Sequence, residues 1–101
     1  PEVKEFAPFQ VYADGGHNVW ASLSQFPAVS ASEVAIAVRT GDAIIQQFSA
    51  SEVTSTGGLT KVVFDTPPST PGLHYVSISG KGRSAAPFEM QFVAVPSSLP
   101  V

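Results

Sequence analysis

Followed for its alternation of apolar and polar positions, the chain breaks into short extended segments and never settles into a helical rhythm. The pattern is clearest between Leu59 and Ser79. Val62 and Phe64 alternate there with Val63 and Asp65, and Val76 and Ile78 alternate with Tyr75 and Ser77, the period-two signature of half-buried strands. Between them stands Pro67-Pro68-Ser69-Thr70-Pro71-Gly72. Its prolines fix φ and lack the N–H a ladder needs, while Gly72 can take φ > 0, so the segment predicts a corner between two strands.

The same reading extends along the rest of the chain. Val3, Glu5 and Ala7 alternate with Lys4 and Phe6 in a first strand that stops at Pro8. Gln10–Ala13 then resumes pairing on another edge, a break that lets one strand serve two sheets. Asp14-Gly15-Gly16 is a turn, after which Val19, Ala21 and Leu23 share one face and Trp20, Ser22 and Ser24 the other, as far as Phe26-Pro27. Ala28–Ser32 is a small-residue connection. In Glu33–Arg39, Val34, Ile36 and Val38 point inward with Ala35, Ala37 and Arg39 outward, and Thr40-Gly41-Asp42 turns the chain.

Ala43–Ala50 is extended, but adjacent Ile44 and Ile45 and adjacent Gln46 and Gln47 blur its two faces, and it reads as an edge strand. Ser51–Gly58, rich in Ser, Thr and Gly, reads as a loop. Phe88–Val95 is the final strand, with Phe88, Met90 and Phe92 on one face. The predicted fold class is all-β, an immunoglobulin-like sandwich of about seven antiparallel strands.

Composition narrows the setting. The 101 residues are enough for one domain. With 44% hydrophobic and 13% charged residues, nine prolines and eight glycines, the chain is a turn-rich globular module and not a disordered segment. Its polar surface must come from Ser, Thr and Gln, a usage common outside the cell; an extracellular or cell-surface location is expected, a cytoplasmic one being the alternative. The net charge is −3 and the cations Lys4, Arg39, Lys61, Lys81 and Arg83 are scattered, so no basic stripe tracks phosphates and no nucleic-acid partner is expected. Cysteine is absent, which excludes disulfides and thiolate metal sites. No apolar run approaches the roughly 20 residues of a membrane span, so this segment is not expected to insert. Residues 1–95 read as the domain and 96–101 as a linker within a longer protein.

Candidate chemistry is sparse. His17 stands near Ser22, Ser24 and Asp14 in sequence, but neighbouring positions of one strand and a turn do not converge on a nucleophile, and no catalytic residue is assigned. Asp14, Asp42 and Asp65 lack the alternating oxygen-ligand pattern of a calcium loop and read as turn residues, so no metal is expected. Gly15-Gly16 and Gly57-Gly58 precede no helix that would make a phosphate cradle, and no cofactor is expected. Trp20 is the residue of most interest: if Val19, Ala21 and Leu23 fill the core, its indole faces outward, as at an interface, unless a Lys or Gln stem from the next strand covers it. Tyr75 can join it only if their strands adjoin. Along the edge strand, Ile45 and Gln47 are the candidate contacts for a paired peptide.

The order of Pro8, Gly15-Gly16, Val19, Ala21 and Phe26, followed by Val62, Phe64, Thr66-Pro67, Pro71-Gly72, Val76 and Ile78, resembles the IPT/TIG domains, immunoglobulin-like sandwiches of the early-set type. The match covers nearly the whole chain. It departs at Leu23, where the family has glycine, and at His74, which stands where many immunoglobulin-like domains place a corner tyrosine, Tyr75 being one step out of phase. Pro71-Gly72, Val76, Ile78 and Ala86-Pro87-Phe88 also look like the end of a filamin-type repeat, the second choice. The resemblance implies a non-enzymatic spacer or docking module whose partners are neighbouring domains or another protein. A carbohydrate-contacting accessory domain using Trp20 and Tyr75, and a cytoplasmic cross-linker repeat, are the alternatives.

Overall fold

The computed structural model describes residues 2–26, 30–40, 43–85 and 87–95, with Ile45 described through its backbone alone. Within them the chain forms β1 (Glu2–Ala7), β2 (Gln10–Tyr12), β3 (Asn18–Ser24), β4 (Ala35–Thr40), β5 (Ala43–Ser49), β6 (Glu52–Thr56), β7 (Leu59–Asp65), β8 (Gly72–Gly80), β9 (Arg83–Ser84) and β10 (Phe88–Val93). A single 3-10 turn, Ala31–Glu33, precedes β4. The strands make two sheets, one in the order β1-β3-β7-β6 and the other in the order β2-β10-β8-β4-β5, with β9 attached to β8. Alternation becomes burial: Val19, Ala21, Leu23, Val62, Val76 and Ile78 are fully buried. These residues, with Phe64, Ile36, Val38, Met90 and Phe92, fill the space between the sheets, the arrangement of an immunoglobulin-like sandwich.

The first strand does serve both sheets. Before Pro8, β1 pairs antiparallel with β3; after it, β2 pairs parallel with β10. The sandwich is therefore mixed and not wholly antiparallel. A bulge at Lys4 shifts the β1 register between Val3 and Glu5, so Val3 and Phe6 pack against the core, in place of the expected Val3, Glu5 and Ala7 set. A second bulge falls on Ile45, where Val38 pairs Gln46 but Arg39 pairs Ile44. That extra residue is the physical source of the blurred pattern in this segment.

The expected loop at Ser51–Gly58 is in fact β6 and a hairpin turn. Gly57 and Gly58, at φ 60° and 82°, form the two-residue connection that right-twisted strands favour. Ser55 and Thr60, opposite one another, share a hydroxyl hydrogen bond of 3.2 Å. Only Val53 of β6 packs on the core; an outer strand wetted on its other face carries little apolar signal. Gly41 and Asp42 of the expected turn, Pro27–Val29 of the small-residue connection, and 96–101 lie outside the described residues. Among the described residues no helix is long and apolar enough to cross a membrane.

The proline corner carries the chain from β7 in one sheet to β8 in the other, and it docks on the Asp14-Gly15-Gly16 turn. Gly16 donates to the Thr66 carbonyl (2.6 Å), Thr66 to that of His17 (2.9 Å), and Ser69 to that of Ala13 (2.9 Å). Gly15, at φ +86°, sits so close to the corner that a Cβ there would lie 2.6 Å from the Pro68 nitrogen. Gly16, at φ +79°, has open space around it. Gly16→Ala should therefore cost about 1–2 kcal/mol, from left-handed backbone strain alone. Gly15→Ala should cost at least about 1 kcal/mol more, because backbone atoms must separate. Urea denaturation of the two variants checks this; equal losses would mean that the corner is not seated on Gly15 in solution.

Candidate docking surface

Register arranges the outer face of the second sheet into rows. Glu89 lies beside Tyr75, Tyr75 beside Arg39, and Arg39 beside Ile44. In the next row Ser77 lies beside Ala37 and Ala37 beside Gln47; on the other side Leu73 lies beside Gln91 and Gln91 beside Gln10. The short side chains of Ala37, Ser77 and Ser79 leave a shallow concavity of about 450 Å³, bounded by Tyr75, Ile44 and Pro87. Apolar exposure gathers here: Tyr12, Ile44, Leu73 and Tyr75 are 45%, 50%, 46% and 36% exposed. Those are four of the seven exposed large apolar side chains among the described residues, and of the four Ile44 and Tyr75 line the concavity itself.

Of the residues nominated from sequence, Tyr75 and Gln47 line this concavity together. Trp20 does not join them. It belongs to β3 in the first sheet, while Tyr75 belongs to β8 in the second, so the two rings point outward on opposite sides of the sandwich. The indole is also covered, since the Lys61 ammonium from adjacent β7 stands 5.5 Å from the ring centroid, a cation–π contact. The Ile45 side chain lies outside the described residues. His17 and Asp14 do meet, Nε2 to Oδ1 at 2.6 Å, but Ser22 stands about 17 Å farther along the chain at strand spacing and does not reach them. Asp65 accepts from the Asn18 amide at 3.4 Å, and Asp42 is outside the described residues.

Just inside this face, His74 closes the corner. Its ring is buried and meets Phe92 edge-on, with centroids 5.1 Å apart. Nε2 lies 2.7 Å from the Thr70 carbonyl oxygen, and Nδ1 lies 2.7 Å from the Thr40 hydroxyl. A carbonyl can only accept, so Nε2 carries a proton; the Thr40 hydroxyl is free to rotate and donate to Nδ1. The side chain thus reaches back to backbone four residues upstream, as a corner tyrosine does. The departure noted at this position keeps the bond and changes the ring that makes it.

No protein-family model matches the sequence, and no curated protein matches it. Among solved structures, the chain is similar to the TIG domain from human nuclear factor of activated T-cells, cytoplasmic 4, with a TM-score of 0.63 over 93% of this chain and 88% of that one, at 16% identity. The fold is that of a TIG domain.

Within this TIG fold, sequence reasoning missed Leu73, Ile44 and Tyr12 as parts of one face, because their neighbourhood depends on which strands pair. Phe9, 68% exposed, escaped as well; it follows Pro8, and its carbonyl accepts from Gln91. The signal for the corner was present in His74 and the Thr70-Pro71-Gly72 run. His74→Phe keeps the ring against Phe92 but deletes its bonds to the Thr70 carbonyl and the Thr40 hydroxyl, both on exposed residues that water can reach, and should lower stability by about 0.5–1.5 kcal/mol for each bond lost. Denaturation of His74→Phe beside Thr40→Val measures it; a loss no larger in the ring variant than in Thr40→Val would show that the Thr70 bond contributes nothing.

Proposed function

We propose that this chain is a non-catalytic spacer and docking module of a larger protein, with 1–95 as the folded unit, and that it captures an extended segment of a neighbouring domain or partner along β5. The observation that carries this reading is how differently the sheet edges are guarded. β1 presents Glu2, Lys4 and Glu5 with a bulge, β2 has only three residues, and β6 is five residues long and begins at Glu52. Charge, bulges and shortness are the usual means of keeping an edge from pairing. β5, Ala-Ile-Ile-Gln-Gln-Phe-Ser, is seven residues long with no charge and no proline, and its bulge at Ile45 leaves Gln46–Ser49 in unbroken register with β4.

Ladder geometry indicates which groups would bind. Ala50 donates to the Val34 carbonyl, so by alternation Phe48 and Gln46 direct their backbone groups at β4, while Gln47 and Ser49 direct theirs outward. Strand addition supplies affinity through such outward groups and specificity through flanking side chains; Tyr75 and the backbone bulge at Ile45 flank this rim. The low-charge, Ser- and Thr-rich composition supports a place outside the cell or on its surface.

Panning a displayed library of linear peptides against the chain tests the reading. Gln47→Pro removes an outward N–H and leaves the β4 ladder intact. It should abolish enrichment at a smaller stability cost than Phe48→Pro, which loses an inward bond together with the ring's packing on Phe64 and should cost about 3 kcal/mol or more. Selected peptides should shift the amide resonances of Gln47 and Ser49. A peptide pool that binds wild type and Gln47→Pro equally would overturn β5 as the docking edge.

A further inference from the structure

We propose that the outer face of the second sheet packs against a second copy of this chain, about a two-fold axis running along the strands through Tyr75. The inference rests on reading the chain as a docking module, but not on capture at β5. Its basis is the order of charge in the central row: Glu89, Tyr75 and Arg39 are consecutive across β10, β8 and β4, which puts opposite charges on either side of an aromatic ring, about 10 Å apart at two strand spacings. Among the described residues neither Arg39 nor Glu89 forms an ion pair. Arg39 is instead oriented along the face by its Nε donating to the Ser77 hydroxyl at 3.4 Å.

A two-fold axis along the strands reverses the strand order of the second copy. Arg39 of each copy then faces Glu89 of the other, twice, while the two Tyr75 rings meet at the axis among Leu73 and Ile44. A two-fold axis across the strands would set Arg39 on Arg39 and Glu89 on Glu89, so the charges select one arrangement and reject the other. Five strands at about 4.8 Å make a face roughly 20 Å wide. That is at the small end for specific interfaces, and association in the range of about 10 to several hundred micromolar is expected.

Sedimentation of the intact chain from about 10 µM to about 1 mM, at low and high salt, tests the arrangement. Wild type should dimerise within that range and less so in salt. R39E and E89R should each weaken self-association at least about tenfold, and an equimolar mixture of the two should recover it, since each then meets its opposite. A wild type that stays monomeric throughout, single variants that dimerise undiminished, or a mixture that stays monomeric would each overturn the proposal. Glu89 is exposed, so E89R keeps the test decisive if R39E folds poorly. Peptide capture measured alongside separates the two readings: a wild type that captures peptide but never dimerises sinks only the second copy, and capture lost in Gln47→Pro with dimerisation intact bears only on β5.

Discussion

The seating of Pro68 on Gly15 is the contact on which the architecture turns. Where the chain leaves β7 it must cross from one sheet to the other, and the prolines that stop the ladder also make the crossing rigid. A rigid crossing needs a surface to lie on. The Asp14-Gly15-Gly16 turn provides it through a glycine whose absent Cβ leaves room for the Pro68 nitrogen, and through backbone bonds from Gly16, Thr66 and Ser69. Gln46 adds a bond from β5 to the Pro68 carbonyl at 2.9 Å, so three separate parts of the chain converge on this end of the sandwich. His74 follows the crossing, and Tyr75 follows His74, so the orientation of the outer face is inherited from the corner.

How legible this was follows from the physics of each segment. Val19, Ala21 and Leu23 announced β3 because one face is wholly buried and its neighbour is not, and the same holds for β7, β8 and β10. β6 was lost because a strand on the rim, with only Val53 against the core, is written in the residues that also write loops. The bulges at Lys4 and Ile45 shift the phase of alternation by one residue, which a fixed two-residue period cannot follow. Trp20 was correctly placed on an outer face, yet its cover by Lys61 depends on a cross-strand register. Tyr75 and Gln47 were named separately, and only the pairing of β5, β4 and β8 makes them neighbours.

The corner histidine illustrates why a fold can persist when its marker residues change. A tyrosine at such a corner supplies one donor at the end of a long ring, whereas His74 supplies one donor and one acceptor from a shorter ring, and Thr40 on β4 takes up the second. The position therefore keeps its function in the fold and gains a tie to the neighbouring strand. A structural match at 16% identity is a likeness of fold, and fold alone does not settle function.

The parallel pairing of β2 with β10 has a mechanical consequence for the fold. Tension entering through β1 and leaving through β10 draws these two strands past one another lengthwise, so their hydrogen bonds strain together instead of opening one after another like a zip. Such a joint resists tearing until the whole row of three pairs fails at once.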